Sequence, residues 1–229
     1  RPGNGRWPGE RMNVKALVLA GYGINCEAET RVAFERAGAD ARIIHLGDLV
    51  ESPEYLRRHH ILAVPGGFSF GDDVASGRIL ANRLRYRLGD ALREFIGERK
   101  LLIGICNGFQ VLVKMGVLPL FGDDFVQETT LTHNDSGRFE DRWVRLAPDA
   151  SSRCVWTRGL TTLELPVRHG EGKFLVRNES VLERLDPRFR LAPELLSALT
   201  VREPLGFAVF KLRDVPAPAQ RRVERARRL

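Results

Sequence analysis

Short apolar runs alternate with stretches of helical periodicity over the first half of the chain. The runs end in glycine, proline or polar residues, as buried strands do, and they predict strands at residues 14–20, 41–46, 61–64 and 101–103. Helices are predicted at 27–37, 82–99 and 109–115. Strands that alternate with helices predict right-handed crossovers and a parallel sheet covered on both faces.

Two of these helices carry apolar residues at helical spacing. In helix 82–99 they are Leu84, Leu88, Leu92, Phe95 and Ile96, with arginines and acids between them. In helix 27–37, Ala33, Phe34 and Ala37 share one face, and Gly38 ends the helix. The helix at 82–99 is therefore expected to lie with its apolar face on the sheet.

The pattern changes after Met115. Residues 129–132, 138–146 and 167–176 resemble antiparallel strands separated by polar, glycine-containing turns at 134–137 and 170–172. We predict an α/β fold: a doubly wound, mostly parallel sheet with helices on both faces, plus a smaller antiparallel sheet. Residues 13–184 form the predicted domain, between a disordered leader at 1–12 and a divergent, proline- and arginine-rich segment at 185–229, for which disorder is an open alternative.

Composition narrows the class of protein. The 229 residues carry a formal net charge of +7, but no basic motif is interleaved with aromatic residues, so a basic surface or subunit contact is favoured over nucleic-acid binding. Three scattered cysteines form neither a disulfide framework nor a metal-ligand spacing, which predicts a reducing, cytoplasmic location. No apolar run approaches membrane-spanning length.

The stretch 101–110, LLIGICNGFQ, holds the clearest chemistry. A predicted strand, buried on both faces, ends in Gly104-Ile105-Cys106-Asn107-Gly108 and a helix follows, as in a nucleophile elbow with cysteine as nucleophile. The helix N-terminus behind Cys106 would favour a thiolate and stabilise a nearby oxyanion. The alternative is that Cys106 is a buried core cysteine.

A second glycine-rich turn, at Gly66 and Gly67, follows strand 61–64. Ligand sites in parallel sheets lie at the C-terminal ends of the strands, so both turns are expected at one edge of the sheet.

Three motifs together resemble one family. GGFSFGD at 66–72, GICNGFQ at 104–110 and HGEG at 169–172 are similar to the glutaminase subunit of phosphoribosylformylglycinamidine synthase, as is the segment 131–146. That family is a class I, triad-type glutamine amidotransferase with a flavodoxin-like fold. The combination of GGFSFGD with CNGFQ argues against an unrelated cysteine-elbow hydrolase.

The resemblance implies a glutaminase whose nucleophile, Cys106, forms a glutamyl thioester from L-glutamine. Backbone N–H groups of Gly67 and Asn107, with Gly66 in the same turn, would bind the oxyanion. Gln110 would hold the substrate; its alternative is a solvent-facing helix glutamine. The ammonia would pass to a large synthetase subunit, which makes formylglycinamidine ribonucleotide in purine biosynthesis and has a small accessory subunit. ATP and Mg²⁺ belong to that synthetase, and no cofactor or metal is expected in this chain.

The sequence departs from the family at the general base. The family's His-Pro-Glu motif is absent, and the five histidines are His45, His59, His60, His133 and His169. His169 and Glu171 could replace the triad pair if both project from one face of a strand. We expect them instead to line the glutamine cleft or the partner-facing surface; His133 is a weaker candidate, and His59 and His60 are expected on a solvated helix end. The alternative function is an assembly subunit that is catalytically impaired by an incomplete triad.

Overall fold

The computed structural model describes residues 13–122, 124–148, 154–185 and 211–212. The chain divides after Val111 into two compact units. The predicted leader at 1–12 lies outside the described residues, as does the predicted segment 185–229 except for residues 185 and 211–212.

The first unit is built on a four-stranded parallel sheet with the order β2-β1-β3-β4. Its strands are β1 (Lys15–Ala20), β2 (Asp40–His45), β3 (Ile61–Val64) and β4 (Leu101–Gly104). The side chains of β3 are all buried, as are those of Ala16 to Ala20 in β1, which is typical of strands covered on both faces. The predicted parallel sheet and its four strands are confirmed.

Helices and short turns connect these strands. They are α1 (Glu27–Arg36), α2 (Leu46–Glu51), α3 (Glu54–Arg57), α4 (Arg78–Gly97) and a 3-10 turn at Ser69–Asp72. The five apolar residues predicted to form the inner face of the long helix are all buried in α4. The periodicity of that segment therefore predicted its packing correctly.

The prediction that strand 101–103 is buried on both faces was wrong. In β4 only Leu102 is buried, since β4 is the last strand in the order of the described sheet and has a neighbour on one side. On the predicted apolar face of α1, Ala33 and the C-cap residue Ala37 are exposed and Phe34 is half-buried, because alanine offers little apolar area to drive burial.

The second unit contains two small antiparallel sheets. Strand β5 (Thr129–Thr132) pairs with β8 (Lys173–Val176), and β6 (Glu140–Ala147) pairs with β7 (Leu163–His169) and with β9 (Lys211–Leu212). Helix α5 (Asn107–Met115) spans the division of the chain, while a 3-10 turn (Val155–Thr157) and α6 (Glu179–Leu185) belong to the second unit.

The antiparallel character of this region is confirmed, with one correction. The strand predicted at 167–176 is two strands in two different sheets, because the chain leaves the ladder at Gly170 and enters the next only at Lys173. Among the helices of the described residues, none combines the length and the apolarity that a membrane span requires.

Phe95 is the largest of the fully buried side chains, with 2% of its surface exposed. We expect Phe95→Ala to lower the free energy of unfolding by about 3–5 kcal/mol, through lost apolar transfer and the cavity left behind. Denaturant unfolding followed by circular dichroism measures the loss.

The matched control is Tyr86→Ala on the same helix, because Tyr86 is 80% exposed. Its effect should stay within about 0.5 kcal/mol. Equal effects of the two substitutions would contradict the assigned packing of α4.

Candidate functional site

Cys106 stands at a sharp turn between β4 and α5. Its φ of 53° lies in the left-handed region, and the residue is exposed, so the alternative of a buried core cysteine is wrong. The turn needs glycine at position 108, where a Cβ atom would lie 1.9 Å from the Val64 carbonyl oxygen. This is the geometry of a nucleophile elbow.

The two glycine-rich turns meet at the same edge of the sheet, as predicted. Val64 is paired with Gly104 in the parallel register, and the N–H of Ile105 donates to the carbonyl of Val64 at 3.0 Å. A Cβ atom on Gly66 would lie 3.3 Å from the Cβ of Cys106. The first turn therefore lies directly against the nucleophile.

Gly67 is fixed by the loop that follows β1. Its φ is 144°, and a Cβ atom there would be 2.4 Å from the carbonyl oxygen of Gly23. Gly67 forms an antiparallel bridge with Ile24, and the flanking bonds are made by Asn25 N–H to Gly66 and by Phe68 N–H to Gly23. The hydrogen bonds beside this bridge are donated by Asn25 and Phe68, so the N–H of Gly67 does not donate to the bridge.

An aromatic stack supports the loop after Gly67. The rings of Tyr22 and Phe70 are stacked with centroids 4.7 Å apart, and the Arg83 guanidinium lies 5.1 Å and 5.0 Å from the two ring centroids. Phe70 itself has a φ of 54°, and its N–H donates to the carbonyl of Tyr22 at 2.6 Å. These contacts offset a backbone conformation that is costly for a residue with a side chain.

Asn107 and Gln110 are both buried in the first turn of α5, with 2% and 8% exposure. The Asn107 side-chain amide donates to the Gln110 side-chain oxygen at 3.1 Å. The alternative of a solvent-facing Gln110 is therefore wrong, whereas its role toward substrate remains a prediction.

The other cysteines differ from Cys106 in their surroundings. Cys26 is exposed, and its thiol donates to the Asn25 side-chain oxygen at 3.2 Å. The pKa of this thiol is raised, first by the desolvation of its partly covered sulfur and then by the charge of Glu29. Cys154 is buried, and that burial raises the pKa of its thiol. Both groups are held toward the protonated form, which is the poorer nucleophile.

In the second unit, the Asn134 side chain organises the HGEG segment. Its oxygen accepts from the N–H of Gly172 at 2.9 Å and lies 3.0 Å from Nδ1 of His169, while its NH₂ group donates to the His169 carbonyl at 2.8 Å. The imidazole thus carries its proton on Nδ1 when it bonds Asn134. Burial lowers the pKa of His169, and the nearby charge of Glu140 offsets part of that lowering.

Glu171 pairs with a buried lysine. Its carboxylate lies 3.3 Å from Nζ of Lys114, which also donates to the carbonyl of Leu131 at 3.1 Å. The premise that His169 and Glu171 project from one strand face was wrong, because β7 ends at His169 and Glu171 follows it. Their substitution for a triad pair stays a prediction.

The remaining histidines have other environments. His133 is exposed in the loop after β5. His59 was expected to be solvated, yet it is 5% exposed, because its ring packs back onto the preceding helix, α3, with Nδ1 2.6 Å from the carbonyl of Tyr55. The Nδ1 atoms of His60 and His45 accept backbone N–H groups of Lys15 and Gly47.

The relatives of this chain are glutamine amidotransferases. The model of the CobB/CobQ-like glutamine amidotransferase domain matches residues 13–192. The phosphoribosylformylglycinamidine synthase subunit PurQ of Dehalococcoides mccartyi is 50% identical over 162 residues, which are 71% of this chain and 63% of that protein. PurQ of Treponema denticola is 38% identical over 192 residues, 79% of this chain and 71% of its own length.

The chain belongs to the PurQ family of glutamine amidotransferases. A chain in the structure of PurLQS from Thermotoga maritima is 27% identical to it with a TM-score of 0.57, covering 73% of this chain and 72% of that one. The chain spans less than two thirds of the length of several PurQ relatives, including 63% of the D. mccartyi protein.

Sequence reasoning missed two residues beside the elbow in the first unit, Ser69 and Asp72, and two residues around the HGEG segment in the second unit, Lys114 and Asn134. Ser69 and Asp72 stand inside GGFSFGD, and Lys114 is a lone charge among apolar residues in VLVKM, a signal that could have indicated a buried ion pair. Asn134 had no such signal, because its partners lie 35 to 38 residues away. Within the described ranges, no group of three or more His, Cys, Asp or Glu side chains could hold a metal ion.

We expect a glutamine-mimicking chloroketone to label Cys106 selectively. Cys106→Ser should abolish labelling, whereas Cys26→Ser and Cys154→Ser should retain it, since burial raises the pKa of both of those thiols. Mass spectrometry of the labelled peptides measures the outcome, and labelling that survives Cys106→Ser would remove Cys106 as the nucleophile.

The lowered pKa of His169 predicts a pH-dependent stability. The folded state favours neutral His169, whereas in the unfolded chain the histidine has its ordinary pKa of about 6.5. Just below that pH the unfolded chain therefore binds more protons than the folded one, and the free energy of unfolding falls as the pH drops through that range. His169→Asn keeps an amide donor for Asn134 but cannot titrate. We expect the variant to lose less stability than the parent between pH 7.5 and 5.5.

Denaturant unfolding followed by tryptophan fluorescence measures this difference, because Trp143 and Trp156 lie in the second unit. Identical pH dependence in the parent and in His169→Asn would contradict the assignment.

Proposed function

We propose that this chain is the glutamine-hydrolysing subunit of a phosphoribosylformylglycinamidine synthase. One observation carries the proposal: an exposed cysteine with a φ of 53° stands at the C-terminal edge of a parallel sheet, directly against a second glycine turn. Membership of the PurQ family supplies the substrate class, L-glutamine. The proposed location is the cytoplasm.

The proposed chemistry follows from that edge. The Cys106 thiolate attacks the side-chain carboxamide of glutamine, and backbone N–H groups of Gly67 and Asn107 donate to the tetrahedral oxyanion. The C–N bond then breaks, ammonia leaves with an added proton, and water hydrolyses the glutamyl thioester to glutamate. Gln110, in the first turn of α5, is proposed to help hold the substrate.

Ammonia is proposed to pass to a large synthetase subunit, assembled with a small accessory subunit. The synthetase would use ATP and Mg²⁺ to make formylglycinamidine ribonucleotide in purine biosynthesis. The T. maritima structure titled PurLQS supports an assembly of this kind. The chain itself is proposed to need no cofactor.

The source of the general base divides two candidate functions. Thiolate formation and protonation of ammonia are acid–base steps that contribute roughly 10²–10⁴-fold to rate. In the first unit, Nδ1 of each of His45, His59 and His60 bonds a backbone group. His169 and Glu171 are the candidates that the sequence offers.

A second candidate function is a catalytically impaired assembly subunit. It is favoured by the contacts of the substitute pair, since Glu171 lies 3.3 Å from the Lys114 ammonium and the His169 ring bonds Asn134. Such a subunit would keep a reactive elbow and support assembly without hydrolysing glutamine at a useful rate.

Glutamate release separates the two functions. We expect the purified chain alone to be nearly inactive, because a subunit that hydrolysed glutamine without its partner would lose the ammonia to solvent. The chain with its synthetase subunit should release more glutamate. Glutamate is measured by coupled dehydrogenase assay at matched protein concentrations, with Cys106→Ser as the blank. Turnover of the isolated chain as fast as that of the complex would contradict partner activation.

Two further arms identify the base. Activity in the complex that is lost in His169→Ala but kept in His133→Ala would support His169 as the base. A complex that forms but releases no glutamate, and gains turnover when a family-like segment carrying His-Pro-Glu is appended, would establish the assembly function instead.

A further inference from the structure

The side chain of Asn107 joins three segments of the first unit. Its Oδ1 accepts from the backbone N–H of Ser69 at 3.1 Å and from the Ser69 hydroxyl at 2.6 Å. Its Nδ2 donates to the Asp72 carboxylate at 3.1 Å and to the Gln110 side-chain oxygen at 3.1 Å. Every hydrogen-bonding position of this amide is therefore occupied.

The amide bonds lock a loop of unfavourable backbone conformation. Phe70, Asp72 and Cys106 all have φ between 53° and 54°, a region that is strained for a residue with a side chain. Asp72 has a further partner, because its Oδ1 also accepts from the N–H of Gly77 at 2.9 Å. The network thus runs from the nucleophile elbow to the start of α4.

We propose that the Asn107 side chain is a positioning clamp that sets the distance between the two oxyanion donors, the N–H groups of Gly67 and Asn107. The proposal rests on the proposed function for the role of those donors. With 2% exposure and no hydrogen-bonding position left over, the Asn107 amide acts through Ser69 and Asp72 and does not bind substrate. It holds residues 66–72 against the elbow, so that the N–H groups of Gly67 and Asn107 keep a fixed separation.

The chemistry of the clamp permits an exchange of partners. Asn107→Asp keeps the acceptor for Ser69 but places a second carboxylate against Asp72. Adding Asp72→Asn supplies an amide donor to the new carboxylate and keeps an oxygen for the N–H of Gly77. Gln110 can turn its own NH₂ group toward position 107, so the double exchange restores each bond with the same net charge as the parent.

Two measurements test the clamp. Hydrogen exchange of the amides in residues 66–77 reports the order of the loop without reference to catalysis. The rate at which a glutamine-mimicking chloroketone labels Cys106 reports how the two oxyanion donors are arranged. The rate of labelling by iodoacetamide, which needs no oxyanion donors, reports the reactivity of the thiol alone.

We expect Asn107→Asp to speed exchange in 66–77 and to slow chloroketone labelling about 10–100-fold, with iodoacetamide labelling changed far less. Asp72→Asn alone should give a smaller loss. The double exchange should recover most of both signals, which is the coupling expected of direct partners. Asn82→Asp, the same chemical change on the exposed face of α4, should leave both signals at the parent level.

The outcomes separate the clamp from the proposed function. Exchange and labelling at parent rates in Asn107→Asp, or a double exchange no better than the worse single variant, would overturn the clamp. A parent that chloroketone does not label, while protection from hydrogen exchange is lost in Asn107→Asp and restored in the double variant, would overturn the proposed function and leave the clamp standing. If Asn107→Asp does not fold and the double variant does, that recovery is itself the predicted coupling.

Discussion

The parallel pairing of β3 with β4 is the constraint on which the site depends. The register that sets Val64 opposite Gly104 brings the ends of two strands to one edge, and the Val64 carbonyl accepts the N–H of Ile105. The same carbonyl leaves no room for a side chain at Gly108, so the chain can turn into α5 only with glycine there. The nucleophile and the turn beside it are therefore placed by backbone geometry, before any side-chain chemistry is considered.

Polar contacts and apolar packing have different tasks in this molecule. The apolar side chains of β1, β3 and α4 are buried and stabilise the sheet, as their periodicity indicates. The site at the edge of the sheet contains several residues at positive φ, and apolar burial in the core does not fix their angles. There the geometry is supported by the aromatic stack of Tyr22 and Phe70 and by side-chain amides and carboxylates, whose directional bonds can hold a strained turn at a set angle.

The sequence predicted what local patterns determine. The strands and the inner face of α4 followed from periodicity, and the meeting of the two glycine turns followed from the rule for parallel sheets. The contacts of Asn134 and the pairing of Lys114 with Glu171 could not be predicted, because they join residues that are far apart in the chain. The predicted apolar face of α1 is largely exposed, because helical spacing marks a face without measuring how much apolar area it offers.

Asn107 is followed by Gly108, and this dipeptide has a chemical consequence for the lifetime of the protein. An asparagine before glycine is prone to deamidation, because the unhindered glycine nitrogen attacks the side-chain carbonyl to form a cyclic imide. In the folded chain the Gly108 nitrogen donates to the carbonyl of Ile105 at 2.9 Å, and the side-chain oxygen of Asn107 accepts from Ser69. The fold therefore protects Asn107 from deamidation, and each local opening of the elbow exposes it to that irreversible reaction.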